Sequence, residues 1–202
     1  MMKITDNLLI EAKDYVYDLL DSKISENLLY HSKSHTIHVL KNAEIIGNHS
    51  DLSGDELNIL RISTLFHDVG FVEIYDGHEE KSVLYAEQFL REKNVDEWII
   101  KEVSLAIMAT KVPQSPQTLI SKVLCDADLM NMSFEEDYLK DIESLRKEWI
   151  NCGKEYHTEN EFLQVSLDFF KAHEFHTEYG KKVLKPKKEK TEEILKNRLF
   201  DK

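Results

Sequence analysis

Apolar residues recur three and four positions apart along almost the whole chain, and that spacing restricts it to helices packed on helices. Between residues 5 and 21 they are Leu8, Leu9, Ala12, Tyr15, Val16, Leu19 and Leu20. A second helix fits 34–49, through Ile37, Leu40, Ile45 and Ile46, with Gly47 near its end. Ser53 and Glu56 make a capping box for a third, which carries Leu57, Leu60, Ile62, Leu65 and Phe66. Gly70 marks its stop. His78 to Arg91 reads as a fourth, through Val83, Leu84, Ala86, Phe89 and Leu90. Asn94 with Glu97 opens a fifth, which Pro113 ends. Ser115 and Pro116 supply the cap and first turn of a sixth, running toward Asp126-Ala127-Asp128. Further helices fit 134–150, 159–172 and 174–184, with a capping box from Thr158 to Glu161. Strand signals are scarce, and the Asp76-Gly77 pair leads into a helical pattern, not a hairpin.

The expected fold is therefore all-α. One globular bundle of about eight helices is expected over 1–180, with peripheral C-terminal helices. A tail over 181–202 ends in a short amphipathic helix. A chain of 202 residues buries enough surface to fold as one domain without staples. Its two cysteines, Cys125 and Cys152, form neither a disulfide framework nor a zinc motif, so a reducing cytoplasm is the expected location. Met1 to Ile10 does not read as a signal peptide, and no run of about 18 apolar residues predicts a membrane span. Net charge is −12, which repels nucleic acid and anionic membrane unless a local basic patch overrides it. Six lysines between Lys181 and Lys190 are the one candidate patch. No aromatic residues interleave with them, so they read as a solvated, mobile tail. No coiled-coil heptad is present, and a helical surface patch leaves a homodimer open.

Four positions carry the chemical signal: His35, the adjacent pair His67-Asp68, and Asp128. Imidazole and carboxylate together suit borderline divalent metals. Each comes from a different helical segment, so a bundle can bring them together. A lone His-Asp pair is ordinary. This one follows the apolar run Ile59 to Phe66, where a carboxylate needs a partner or a metal. His31 and His38 lie four before and three after His35 and share its face if the helix extends that far. Trp98 and Trp149 read as core. His173 and His176 read as helix-surface residues, with a metal-binding pair as the alternative. No Gly-rich phosphate loop, Gly-x-Ser-x-Gly elbow or His-Glu-x-x-His is present.

The order His35-Thr36, then Leu65-Phe66-His67-Asp68-Val69-Gly70, then Leu124-Cys125-Asp126-Ala127-Asp128-Leu129 resembles the HD superfamily of metal-dependent phosphohydrolases, across about residues 28–132. Ala109-Thr110-Lys111 and Asp126 to Leu129 also look like an uncharacterised bacterial subgroup of it. The resemblance implies an HD-type helical bundle. It implies one divalent ion (Mn, Co, Fe, Mg, Ni or Zn) held by His35, His67, Asp68 and Asp128. Asp126 is the competitor for the last position, and two residues earlier on a helix it faces elsewhere.

Asp68, His78 and Lys111 are the implied catalytic residues. His31, His38 and Lys111 are candidates to bind the substrate phosphate. The helix after His78 offers no further histidine, which counts against a two-metal site and against the two-iron oxygenases of the superfamily. The implied reaction is hydrolysis of a phosphoester of a small phosphorylated metabolite or nucleotide by a metal-activated water. The alternative is a non-catalytic nucleotide- or ligand-binding signalling module that keeps the cage.

Overall fold

The computed structural model of the chain describes residues 3–154 and 158–200. They contain nine α-helices and no strand: α1 (Asp6–Lys23), α2 (Lys33–Asn48), α3 (Gly54–Phe66), α4 (His78–Glu92), α5 (Glu97–Met108), α6 (Leu119–Asp128), α7 (Glu135–Asn151), α8 (Glu159–Ala172) and α9 (Lys185–Phe200). Short 3₁₀ turns follow α3 (Val69–Val72) and α6 (Met130–Ser133). The expected all-α bundle is what forms.

Local chemistry explains where most helices begin. The Thr5 hydroxyl accepts from the Leu8 amide at the start of α1, which buries Leu8, Ala12, Val16, Leu19 and Leu20 as one stripe. Capping boxes at Ser53/Glu56 and Thr158/Glu161 open α3 and α8 as expected. Two starts differ from expectation. Thr118 with Ser121, not Ser115-Pro116, caps α6. Asn94 has φ of 55° and sits between helices; Asp96 precedes α5.

Gly70 does not end α3 with a left-handed turn. It lies in the 3₁₀ turn after His67-Asp68, where a Cβ would collide with the His78 carbonyl. Its amide donates to Ser82 Oγ at 2.8 Å. The glycine is there so that the doublet can lie against the start of α4.

Two apolar cores result. The larger joins α1 to α6, with Phe66, Leu90, Ile100, Ile107 and Leu124 fully buried. The smaller joins α7, α8 and α9 around Tyr138, Leu163, Phe170 and Leu195. Burial of each such side chain stabilises by about 1.5–3 kcal/mol.

The lysine-rich stretch is not a mobile tail. The helix expected over 174–184 begins only after an extended segment at 173–176, and it continues through a π-turn at Gly180–Leu184 into α9. The wide turn precedes Pro186, which lacks the amide an α-helical ladder would need. Leu184, Lys188, Thr191 and Leu195 are buried. Lys182 and Lys185 pair with Glu178 and Glu174, and Lys188 donates to the His173 carbonyl, so part of the charge is answered within the fold. Trp98, expected in the core, is 53% exposed, and Leu84 is 58% exposed. No helix among the described residues is long and apolar enough to cross a membrane.

Candidate metal centre

Helix ends build the centre. His35 lies in the first turn of α2, His67 caps the C-terminus of α3 with Asp68 just beyond it, and Asp128 is the last residue of α6. Packing of α2 against α3 and α6 brings the three together. The carbonyl ends of α3 and α6 add partial negative charge there, which favours a cation.

His35 Nε2 lies 3.1 Å from Asp128 Oδ1 and 3.4 Å from Asp68 Oδ2. His67 Nε2 lies 3.1 Å from Asp68 Oδ2 and 3.7 Å from Asp128 Oδ1. One ligand atom from each of His35, His67 and Asp128 falls within 4.8 Å of the others. His67 Nδ1 donates to the Thr64 carbonyl at 2.8 Å, so in the neutral ring Nε2 is the nitrogen that carries the lone pair a metal would take.

His67 Nε2 and Asp68 Oδ2 are both buried, yet neither has a hydrogen-bond partner, although they are close. Buried polar atoms are normally satisfied, and leaving two bare is costly. A divalent cation answers both at once, so the donor set fits a metal ion.

Burial disfavours charge on His67, but the facing carboxylates of Asp68 and Asp128 outweigh it and hold the imidazole pKa well above its ordinary value. Burial likewise pushes Asp68 and Asp128 up, but the imidazoles outweigh it and hold both carboxyls well below the usual range. Asp126, the sequence competitor, is engaged elsewhere. It accepts from the His176 and Thr177 amides and the Thr177 hydroxyl, at 2.7, 2.9 and 2.6 Å.

A model of the HD domain matches residues 33–132, the span that contains all four candidate ligands. Residues 33–132 belong to the HD-domain superfamily. The crystal structure of a predicted HD superfamily hydrolase from an uncultured Thermotogales bacterium is similar, with a TM-score of 0.61 and 21% identity. The likeness covers 96% of this chain and 92% of that one, and it shows the fold. No curated protein matches the chain.

Around the HD centre lies a second shell of rings. Phe71 stacks between His31 and His78, with centroids 4.1 and 3.7 Å away. His78 Nδ1 lies 3.0 Å from the Tyr75 carbonyl, and Nε2 lies 3.6 Å from Asp68 Oδ1. His31 precedes α2 and reaches the site through the entering loop, not through helical spacing. Its Nδ1 lies 2.5 Å from Glu148 Oε1 on α7. Burial disfavours charge on His31, but the bond to Glu148 and the nearby carboxylates outweigh it and raise the pKa.

Glu148 also accepts from the Tyr30 and His31 amides at 2.8 and 3.0 Å, and from the Tyr75 hydroxyl at 3.0 Å. Sequence reasoning missed Glu148, because a glutamate in the polar run of α7 carries no sign of burial. Phe71 had a signal, since it directly follows the doublet motif.

His38 is not brought to the site; it is exposed on α2 and lines no part of the cavity. The buried stripe of α2 runs from His35 toward Thr36 and Val39, and His38 lies about 60° off on the other side. Lys111 does line the cavity, but its ammonium pairs with Glu80. His173 and His176 lie in the extended segment 173–176, not on a helix surface, and His173 is buried. The centre opens into a chamber of about 620 Å³ whose far wall comes from α7 and α8.

Proposed function

We propose that the protein is a metal-dependent phosphohydrolase that cleaves a phosphoester of a small phosphorylated molecule. The observation that carries this reading is the buried, unpartnered pair His67 Nε2 and Asp68 Oδ2 at the HD centre, beside an open chamber. His35, His67, Asp68 and Asp128 would hold the divalent ion. Such an ion supplies a Lewis acid for a phosphoryl oxygen and makes water more acidic.

The chain's own residues supply the rest. Asp68 turns Oδ2 toward the imidazoles and Oδ1 toward His78, so Oδ1 orients the attacking water. As the water oxygen bonds to phosphorus and the ester P–O bond breaks, His78 Nε2 takes the water's proton and passes it to the departing alkoxide. His31, held at Nδ1 by Glu148, offers Nε2 to a phosphoryl oxygen as charge builds on it. Phe71 keeps both rings in register between them. Lys111 is paired with Glu80, so His31 is the group assigned to the phosphate.

The test is metal content by elemental mass spectrometry together with phosphate release, in wild type and Asp68→Ala. About one equivalent of a transition metal in the wild type is expected, with metal and turnover both lost in the variant while the helical circular-dichroism signal stays. Unchanged turnover in the variant would sink the mechanism. Bound metal with no turnover of any phosphoester would instead favour a binding module.

A further inference from the structure

We propose that the chamber beside the centre receives the organic part of a phosphate monoester as an apolar, largely aromatic group, and that it turns away polyphosphates. The proposal rests on the phosphohydrolase reading for the phosphate end and on the chamber walls for the rest.

Its volume of about 620 Å³ falls within the range that encloses a small organic ligand. The wall away from the centre is made by Ile142, Leu145, Trp149, Phe162, Val165 and Phe169. These residues sit on α7 and α8, outside the span matched by the family model. The far wall of the chamber is therefore built outside the matched span, by α7 and α8. Trp149 and Phe162 meet edge to face, with centroids 5.1 Å apart, and offer aromatic surface to a flat guest.

The charges on the lining point the same way. Among the described residues no arginine lines the chamber, and the one lysine that does, Lys111, pairs with Glu80 at its rim. Asp76, Glu79 and Asp141 line it as well. Lys154 answers Asp76 from outside the lining, and Asn131 donates to Asp141 at 2.8 Å. A second or third phosphate beyond the centre would meet these carboxylates, against one lysine already shared with Glu80.

Asn131 gives a separate sign that this is a ligand wall. It lines the chamber, and its Oδ1 is buried with no hydrogen-bond partner among the described residues. A bare acceptor in such a place is left for a guest or a bound water.

The experiment is steady-state phosphate release by the metal-loaded full chain from 1-naphthyl phosphate, ribose 5-phosphate and a nucleoside triphosphate. Binding of 1-naphthyl phosphate is followed in parallel by naphthyl fluorescence. A kcat/KM at least about tenfold higher for 1-naphthyl phosphate than for the other two is expected. Leu145→Arg and Val165→Arg, each checked for folding by circular dichroism, should lower that ratio roughly tenfold through KM. Equal or faster release from ribose 5-phosphate or the triphosphate would overturn the chamber assignment and leave the hydrolase reading intact. Binding of 1-naphthyl phosphate with no phosphate released from any ester would do the reverse.

Discussion

Single side chains in this protein do opposite things with the same chemistry. His67 is buried with one nitrogen committed to a carbonyl and the other bare, close to two carboxylates. His173 is also buried with both nitrogens bare, but its neighbours are Phe169, Phe175 and the Lys188 ammonium. Burial and the Lys188 charge push its pKa down to about 3. The folded state therefore refuses a proton that the unfolded state accepts near pH 6.5. The resulting stability is present above pH 6.5 and is lost as pH falls toward 3. Between pH 6 and 4.5, His173→Leu should lose about 2 kcal/mol less unfolding free energy than wild type. Urea denaturation at the two pH values checks this, and equal losses would count against a neutral buried imidazole. At this scale His35, His67, Asp68 and Asp128 were legible in the sequence, because their motifs are local and ordered. Glu148 was not, because what makes it special is four hydrogen bonds from residues far away in the chain.

Helices were legible wherever capping and apolar spacing agree. Ser53 and Thr158 each mark a start that the structure keeps. Misplaced starts fell where two signals competed, as at Ser115-Pro116 against Thr118. The 3₁₀ turn Val69–Val72 was read as a stop, since Gly70 has the right identity for a helix end and the wrong reason. Its role is close approach to α4, which carries His78. Gly70→Ala should cost roughly 2 kcal/mol or more, and it should lower phosphate release by shifting His78 away from Asp68. Gly54→Ala, at a helical position with open space, should be neutral or stabilising by up to about 1 kcal/mol. Thermal unfolding of the pair separates a packing glycine from a merely permissive one.

The whole molecule is two packed cores with the centre on one side and the chamber between them. Glu148 ties them: it sits on α7, in the region of the smaller core, and holds the loop that leads into α2. Burial disfavours its charge, but the bonds to His31 and the backbone outweigh this and keep its carboxyl below the usual range. Glu148→Ala leaves two amides, a hydroxyl and a partly buried imidazole without their acceptor. It should cost about 3 kcal/mol of unfolding free energy and raise KM more than it lowers metal content. Tyr75→Phe, which removes one of the four donors, should cost about 1 kcal/mol. Denaturant unfolding and elemental analysis on the same samples would show whether the metal stays while the stability falls.

From the sequence alone came the all-α class, most helix spans and the four candidate ligands. Each follows from rules that act over a few residues: the helical period, the caps and the ordered HD motif. Only the tertiary structure decided that the lysine-rich end folds back as α9, that His31 reaches the centre while His38 does not, and that α7 and α8 wall an apolar chamber. Those outcomes depend on docking between segments as much as 118 positions apart, and no local spacing encodes which faces will meet.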